Sequence, residues 1–244
     1  MPQRIHILGT PVDNLSLEMV FEKIEVGLKN LPAGQIITAN SLMVNAASQD
    51  HSLAQIFQTA YLVIPESAGI SWAASFLSQS LIQRIAGIDL LFLICRQAEK
   101  KGWSIFLLGG PEGVAEKTKR KLTDAYPALK ISGYHSGYFS PDEENALITQ
   151  IKNLQPDLIF VGMSAPAQEK WINRHLKHFQ HCLLMGVGGS FDVISGQLKR
   201  SPLFFQKTGL EWLYRLLRQP WRIGRILQLP VFVFRVVRQK YFAS

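Results

Sequence analysis

The sequence predicts an α/β fold, in which helices cover both faces of a mostly parallel sheet, followed by a basic helical appendage at the C-terminal end. Short apolar segments alternate with amphipathic segments of helical length along the first 200 residues, the pattern of repeated strand, crossover helix and strand. The strand segments from residue 104 onward are apolar along their whole length, as expected of parallel strands buried on both faces. After about residue 207 the pattern changes to leucines and tryptophans among arginines. The body is therefore predicted to be Rossmann-like.

The predicted elements follow one another in regular order. Strands are predicted at residues 4–8, 35–38, 61–64, 104–108, 130–132, 157–162 and 182–187. Ser16 is the predicted N-cap of a helix that runs to about residue 28, and the main further helices are predicted at residues 88–100, 113–126, 141–153 and 167–178. A chain of 244 residues fits one large domain with a tail, so the body is assigned to residues 1–200 and the appendage to residues 201–244.

Composition narrows the class of protein. Hydrophobic residues make up 47% of the chain and charged residues 18%, which is typical of a globular protein and not of a disordered one. The N-terminal apolar stretch is too short for a secretory signal, and no uninterrupted apolar run approaches the roughly 18 residues that cross a bilayer. The body is therefore predicted to be cytoplasmic. Cys95 and Cys182 lie far apart in the chain and are interpreted as buried apolar thiols.

The positive charge is concentrated in the appendage. From residue 199 onward ten lysines and arginines face a single acidic residue, Glu211, which gives this segment a net charge of +9. Since the whole chain carries +8, the body is near neutral. Helical spacing puts Trp212 and four leucines along one side of the segment, so the appendage either packs on the body or lies on an anionic membrane surface.

Ligands of an open parallel sheet bind at the carboxyl ends of its strands, so the residues after each strand are the candidates for a site. Gly109 and Gly110 follow one strand and open a helix, where backbone N–H groups suit a diphosphate, although such glycines are often only a tight connection. A dinucleotide cofactor is disfavoured because no acidic residue stands at the end of the next strand.

Two further turns carry polar side chains. Gly188 and Gly189 allow the backbone to approach a ligand closely, and Asp192 either accepts hydrogen bonds from a ribose or sugar hydroxyl or caps the turn. Gln168 lies at an ordinary helix start, with Pro166 near the first position and Glu169 in the first turn. The helix start does not explain Gln168 itself, although a solvated glutamine is common in a first turn.

A carboxylate stands at the end of the strand at residues 61–64. Glu66 lies there beside small residues, where a general base would face the cleft, and the alternative is a charge at a helix N-terminus. Thr38 and Asn40, at the end of the preceding strand, can orient a sugar in the same cleft.

Eight segments, in one order along nearly the whole chain, resemble the WecG/TagA/CpsF glycosyltransferases, also called glycosyltransferase family 26. They are ITAN (37–40), IPESAGI (64–70), RIAGIDLL (84–91), FLLGGPEGVAEK (106–117), SGYF (136–139), PDLIFVGMSAPAQEKW (156–171), GVGGSFDVISGQLKRSP (186–202) and GLEWLYRLLRQPWR (209–222). The resemblance implies an inverting transfer of N-acetylmannosamine, or its uronic acid, from a UDP donor to N-acetylglucosamine on a polyprenyl-diphosphate-linked acceptor.

The resemblance also implies a setting for this reaction. The enzyme would be peripheral on the inner face of the cell membrane, with an appendage that contacts the anionic surface and completes the active site. The UDP-sugar would be its substrate, with no cofactor, no metal and no nucleic acid. Exposed leucines on the appendage are compatible with a homo-oligomer.

The resemblance assigns residue roles as well. Glu66 falls on the aspartate of the family's Pro-Asp-Gly segment, the proposed base. The other catalytic or substrate-site positions fall on Thr38, Asn40, Arg84 and Gln168. The nucleotide site falls on Gly109, Gly110, Tyr138, Gly188, Gly189 and Asp192, and the positions that face the diphosphate or acceptor fall on Arg215, Arg222 and Arg225.

Two segments depart from the family pattern. Pro65-Glu66-Ser67 replaces Pro-Asp-Gly, and Thr38-Ala39-Asn40 replaces Thr-Pro-Asn. The longer glutamate moves the carboxylate by about 1.5 Å. A misplacement of about 1 Å can cost roughly a hundredfold in rate, so either the backbone is set back here or the substrate differs.

The sequence lacks a paired acidic motif for a metal ion, and it leaves two other functions open. The chain contains no Asp-x-Asp pair, so stabilising a leaving diphosphate falls to arginine, lysine and backbone N–H groups. One rival is an oxidoreductase that binds a nucleotide cofactor at the Gly109 turn. The other is a non-enzymatic protein whose basic, tryptophan-bearing tail binds RNA or anionic lipid.

Overall fold

A computed structural model describes residues 4–79 and 81–242 and confirms the α/β fold. The strands are β1 (Arg4–Ile7), β2 (Thr10–Asp13), β3 (Ala33–Ala39), β4 (Leu62–Pro65), β5 (Ser104–Gly109), β6 (Lys130–His135), β7 (Leu158–Gly162) and β8 (Cys182–Gly186). Six of them form one parallel sheet in the order β4-β3-β8-β7-β5-β6. All carboxyl ends of this sheet therefore meet at one edge.

Helices surround the sheet and continue into the appendage. They are α1 (Leu17–Asn30), α2 (Ser41–Ala47), α3 (His51–Thr59), α4 (Ala68–Phe76), α5 (Gly87–Lys101), α6 (Val114–Ala125), α7 (Pro141–Leu154), α8 (Ala167–His175), α9 (Ser190–Ile194), α10 (Leu203–Lys207), α11 (Glu211–Arg218), α12 (Ile223–Ile226) and α13 (Gln228–Phe242). The Ser16 side chain accepts a hydrogen bond from the Met19 N–H, which confirms the predicted cap of α1. The sequence pattern does not predict α2, α3 and α4, because helices of 7 to 9 residues are too short to show a clear period.

Two strands differ from expectation. β1 is present as predicted but pairs only with β2, as an antiparallel hairpin outside the main sheet. The expectation that every strand after residue 104 is apolar and buried is wrong for β6, whose residues are half-buried or exposed. β6 is an edge strand that neighbours only β5 in the sheet, whereas β4, at the other edge, is fully buried and is also contacted by β2 of the hairpin.

The core lies on both faces of the sheet. Along β5, Ile105 and Leu107 enter one buried cluster, together with side chains of α1, α5 and α6. Phe106 and Leu108 point to the opposite face and enter a cluster formed with α7 and α8. This alternation is the period of two that a strand buried on both faces requires. Both cysteines are free and buried, as predicted.

The last helix of the appendage packs on the body. Phe232 and Val236 of α13 are 1% and 0% exposed and belong to a cluster that also contains Ile37 and Val63 of the sheet. Arg235 Nη1 donates to Asn45 Oδ1 at 2.8 Å, which ties α13 to α2. Across residues 4–79 and 81–242, no helix is both long and apolar enough to cross a membrane.

Candidate active site

Glu66 lies where β3 and β4 end side by side. Its backbone N–H donates to the carbonyl of Ala39 at 2.9 Å, and its half-buried carboxylate accepts from the N–H of Gly87 at 3.2 Å. Burial raises the pKa of Glu66, while the positive charge of Arg215, the Gly87 N–H and the Asn40 side chain oppose that rise. The predicted alternative, a helix-terminal charge, holds in one respect: the carboxylate bonds the first residue of α5, whereas Ser67 caps the following helix α4.

The space around this carboxylate is tight. A Cβ on Gly87 would lie 2.9 Å from Glu66 Oε1 and 3.2 Å from Thr38 Oγ1, so both side chains converge on a position that only glycine leaves open. Thr38 is 6% exposed, and its hydroxyl donates to the Gly186 carbonyl at 3.3 Å. Asn40 caps α2 by accepting from the N–H groups of Leu42 and Met43. The structure therefore brings Glu66, Thr38 and Asn40 together, as the sequence predicts.

Gln168 is buried at the neighbouring strand ends. It is 3% exposed, so the interpretation as a solvated glutamine is wrong. Its Oε1 accepts from the Gly188 N–H at 2.9 Å, and its Nε2 donates to Glu169 Oε1 at 2.7 Å. Gln168 thereby joins α8 to the predicted Gly188–Gly189 turn.

Arg84 connects the base to the appendage. Its Nη1 donates to the Glu66 carbonyl at 3.3 Å and its Nη2 to the Gln206 carbonyl at 3.2 Å. The guanidinium also lies 4.0 Å from Glu211 at the start of α11. In this structure Arg84 thus holds the backbone of the Glu66 segment against α10 and α11.

Two arginines of the appendage, Arg215 and Arg222, lie within electrostatic reach of Asp192, and a third, Arg225, lies within reach of Arg222. The pKa of Asp192 is raised by burial and lowered by the positive charges of Arg222 and Arg215. The pKa of Arg222 is lowered by burial and by its neighbours Arg215 and Arg225, and raised by Asp192. Asp192 is the third residue of α9, and no side-chain hydrogen bond caps the N-terminus of that helix. Several neighbouring arginines of this kind form a positively charged region that can bind a polyanion such as a diphosphate.

The turn after β5 is built by backbone packing. The Gly110 N–H donates to the Gly162 carbonyl at 2.9 Å, and the Gly110 carbonyl accepts from the Gly137 N–H at 2.8 Å. A Cβ on Gly109 would lie 2.4 Å from the Gly162 oxygen, which explains the need for glycine there. The Gly110 N–H is therefore already bonded, contrary to the expectation of free N–H groups at this turn.

Tyr138 borders the same turn and is 76% exposed. A cavity of about 220 Å³ is lined by Glu112, Glu116 and Ser136, among others, and the Ser136 hydroxyl donates to the Tyr138 carbonyl at 3.0 Å. β5 is four strands from β4 in the sheet order, which at a spacing of about 4.8 Å separates this end of the site from Glu66 by roughly 19 Å. The candidate site therefore extends along most of the carboxyl edge.

Two residues of the site escape sequence reasoning. Gly87 lies within the RIAGIDLL segment, but nothing local signals that it faces two side chains from other strands. Glu169 looks like an ordinary first-turn charge, yet it is 1% exposed, and burial raises its pKa to about 7.

The part of the chain that the structure describes contains no group of three or more histidine, cysteine, aspartate or glutamate residues placed to hold a metal ion.

Comparison with known proteins identifies the family of this chain. Residues 5–244 match the model of the glycosyl transferase WecG/TagA/CpsF family. Proteins named N-acetylglucosaminyldiphosphoundecaprenol N-acetyl-beta-D-mannosaminyltransferase, from Staphylococcus aureus strains MW2 and NCTC 8325, are 34% identical over 239 residues. The aligned region covers 97% of this chain and 93% of each relative. The chain is thus an enzyme that belongs to the WecG/TagA/CpsF family of glycosyl transferases.

Proposed function

We propose that this enzyme transfers N-acetylmannosamine, or its uronic acid, from UDP to N-acetylglucosamine on a polyprenyl-diphosphate lipid, with inversion and without a metal ion. The main support is one arrangement: a half-buried carboxylate, Glu66, lies within electrostatic reach of Arg215, which also acts on Asp192. A base and a diphosphate counter-charge at one edge are what a single displacement on a nucleotide sugar requires. The names of the relatives support the sugar and the lipid acceptor.

Glu66 is the proposed general base. It removes the proton from the attacking hydroxyl of the acceptor while that oxygen forms a bond to the anomeric carbon and the bond to UDP breaks on the opposite face. The raised pKa suits this role, because a carboxylate that is less stable when ionised is a stronger base. The bond from the Gly87 N–H holds the Glu66 carboxylate in place.

The appendage arginines are the proposed counter-charge for the leaving diphosphate. Arg222→Ala is expected to lower kcat by about tenfold to a hundredfold, since charge on the departing phosphate then loses one of its donors. Thermal stability should stay level or rise, because Arg222 is half-buried beside Arg215 and Arg225. Arg218→Ala, on the same helix as Arg215 and exposed, is the matched control and should keep the rate. Equal losses in both variants would contradict this assignment.

The far end of the site is assigned to the nucleoside. Tyr138 offers an exposed ring on which a base can stack, and the preceding residue, Gly137, packs closely on the backbone of Gly109 and Gly110. Glu112 and Glu116 line the cavity at this end, and their negative charges disfavour phosphate there. The proposed position of the diphosphate is therefore nearer the arginines of the appendage. The Gly188–Gly189 turn and Asp192 then face the ribose and the sugar.

Gly87→Ala is expected to slow transfer without weakening the fold. The added methyl group displaces the Glu66 carboxylate, since it would lie 2.9 Å from Oε1, and a shift of about 1 Å can cost up to a hundredfold in kcat. The gain of about 0.4–1 kcal/mol that alanine brings at an unstrained helical position is offset by the close contacts with Glu66 and Thr38, so the melting temperature should change little. Gly224→Ala adds the same group in open space in α12 and should leave kcat unchanged. A normal rate for Gly87→Ala would show that the carboxylate is not confined as described.

The proposed location is the cytoplasmic face of the membrane, held by the appendage. Phe234 and Phe242 of α13 are 68% and 78% exposed and lie in a segment rich in arginine and lysine. Such side chains enter the headgroup region of an anionic leaflet.

Phe234→Asp tests this location. It should weaken binding to phosphatidylglycerol vesicles by about tenfold or more, because burying a phenylalanine contributes about 1.5–3 kcal/mol. Val26→Asp on α1, 52% exposed and on the opposite face of the sheet, is the control. Vesicle binding that both variants retain would contradict the membrane contact.

The function itself is tested by UDP release in the presence of a chelator. Purified protein is offered UDP-N-acetylmannosamine, its uronic acid or UDP-N-acetylglucosamine, each with and without a short-lipid diphosphate that bears N-acetylglucosamine. Release that depends on the acceptor and on one mannosamine donor is expected. Release only after metal addition would overturn metal independence, and acceptor-dependent release with UDP-N-acetylglucosamine alone would overturn the donor.

A further inference from the structure

A second carboxyl group lies buried beside the proposed site, and the mechanism above does not use it. Glu169 is 1% exposed and stands in the first turn of α8, which packs against β3, β7 and β8. Its Oε1 accepts the hydrogen bond from Gln168 Nε2, whereas its Oε2 is buried and has no hydrogen-bond partner among the residues that the structure describes. The group therefore calls for an explanation.

The bond to Glu169 fixes the orientation of the Gln168 amide. An amide that donates through Nε2 on one side presents Oε1 on the other, and here Oε1 accepts the Gly188 N–H at 2.9 Å. Without an acceptor at Glu169, the buried NH2 group of Gln168 has no partner, which carries a desolvation cost. That cost favours side-chain positions in which the NH2 group reaches another acceptor or water, and in those positions the bond from Oε1 to the Gly188 N–H is weakened or lost.

The surroundings leave this pair little freedom. A Cβ on Gly186 would lie 2.4 Å from Gln168 Nε2 and 3.0 Å from Glu169 Oε1, so the two side chains fill the space that this glycine leaves. From β3, Gln35 Nε2 donates to the Glu169 carbonyl at 3.2 Å and holds the first turn of α8 in place.

Stability does not account for the carboxyl group. A buried carboxyl with an unpartnered oxygen weakens a fold, and an apolar side chain of similar size is often neutral or stabilising in its place. Burial raises the pKa of Glu169 to about 7, and the negative charge of Glu66 acts in the same direction. In both ionisation states Oε1 can still accept from Gln168.

We propose that Glu169 is a positioning residue: it holds Gln168 in the orientation that accepts the Gly188 N–H, and thereby sets the Gly188–Gly189 turn against the nucleotide sugar. The catalytic consequence rests on the proposed function. The orientation of Gln168 does not.

Two variants of Glu169 test this role. Glu169→Gln keeps an acceptor for Gln168 Nε2, whereas Glu169→Met has nearly the same size and removes it. In Glu169→Met we expect hydrogen exchange of the Gly188 amide to be about tenfold faster and kcat/KM to be about tenfold lower. Its melting temperature should equal or exceed that of the wild type. Glu169→Gln should return both the exchange rate and kcat/KM to within about threefold of wild type.

Three outcomes would overturn the proposal. In the first, Glu169→Met exchanges and reacts as the wild type does. In the second, it loses melting temperature in proportion to activity, as a purely structural residue would. In the third, Glu169→Gln fails to restore Gly188 protection. A wild-type protein that transfers no sugar would contradict the proposed function alone, because the exchange rates of the Gly188 amide would still decide the positioning role.

Discussion

Glu66→Gln is expected to lower kcat by about a hundredfold to ten-thousandfold, the contribution typical of a general base. The amide keeps the shape of the side chain and can still accept from the Gly87 N–H, but it cannot take the proton of the acceptor hydroxyl. The fold should lose no stability, because the carboxylate it replaces is one whose ionisation burial disfavours. Single-turnover rates and melting curves measure the two effects separately.

The matched control for this change is Glu25→Gln. Glu25 lies on α1 and pairs with Lys101 at 2.9 Å, away from the carboxyl edge of the sheet. The wild-type profile of rate against pH gives a second check. Because a base must be ionised and the pKa of Glu66 lies above its usual 4.5, activity should fall on acidification at a pH above that value. Undiminished turnover by Glu66→Gln would remove Glu66 from the chemistry.

Phe232→Ala is expected to lower the free energy of unfolding by about 3–5 kcal/mol. Phe232 is 1% exposed, and its ring lies edge-on to Trp72 of α4 with centroids 6.5 Å apart. Truncating it leaves a cavity between the appendage and the body. Urea denaturation at constant temperature measures the loss.

Phe234→Ala is the matched control, two residues away on the same helix. Its ring is 68% exposed, so the change in unfolding free energy should be below about 0.5 kcal/mol. Equal losses in the two variants would mean that α13 does not dock as described. The comparison also shows why deletion of the appendage is a poor test of membrane binding. Deletion would expose the core that Phe232 and Val236 cover.

Part of the candidate site is predictable because ligands of a parallel sheet bind at the carboxyl ends of its strands. Glu66, Thr38 and Asn40 each follow or end an apolar segment, so their meeting at one edge follows from a parallel sheet alone. The basic appendage was equally visible, because its charge contrast with the body needs no structure. The hydrophobic pattern does not predict the pairing of β1 with β2, because a strand of four residues contains too little sequence to indicate its partner.

Other features depend on contacts between distant segments. Gly87 is important because Glu66 and Thr38 approach it from two strands. The sequence around a glycine does not show which distant side chains fill the space beside it. Glu169 is buried because the side of α8 that carries it faces the sheet. The local sequence at the start of α8 does not show which side of the helix faces the sheet. Arg84 was placed among the substrate-site residues, yet its guanidinium bonds the Glu66 carbonyl and the appendage. Its direct contact with substrate stays a prediction.

The chemical structure of the product tests most directly whether this enzyme transfers the sugar with inversion and uses Glu66 as the base. Purified protein, UDP-N-acetylmannosamine and a short-lipid diphosphate bearing N-acetylglucosamine are incubated with chelator, and the anomeric linkage of the disaccharide lipid is read by NMR. We expect a single product whose anomeric configuration is opposite to that of the donor, formed by the wild type and nearly absent with Glu66→Gln. A product that retains the donor's configuration, or one that Glu66→Gln forms at the wild-type rate, would contradict it.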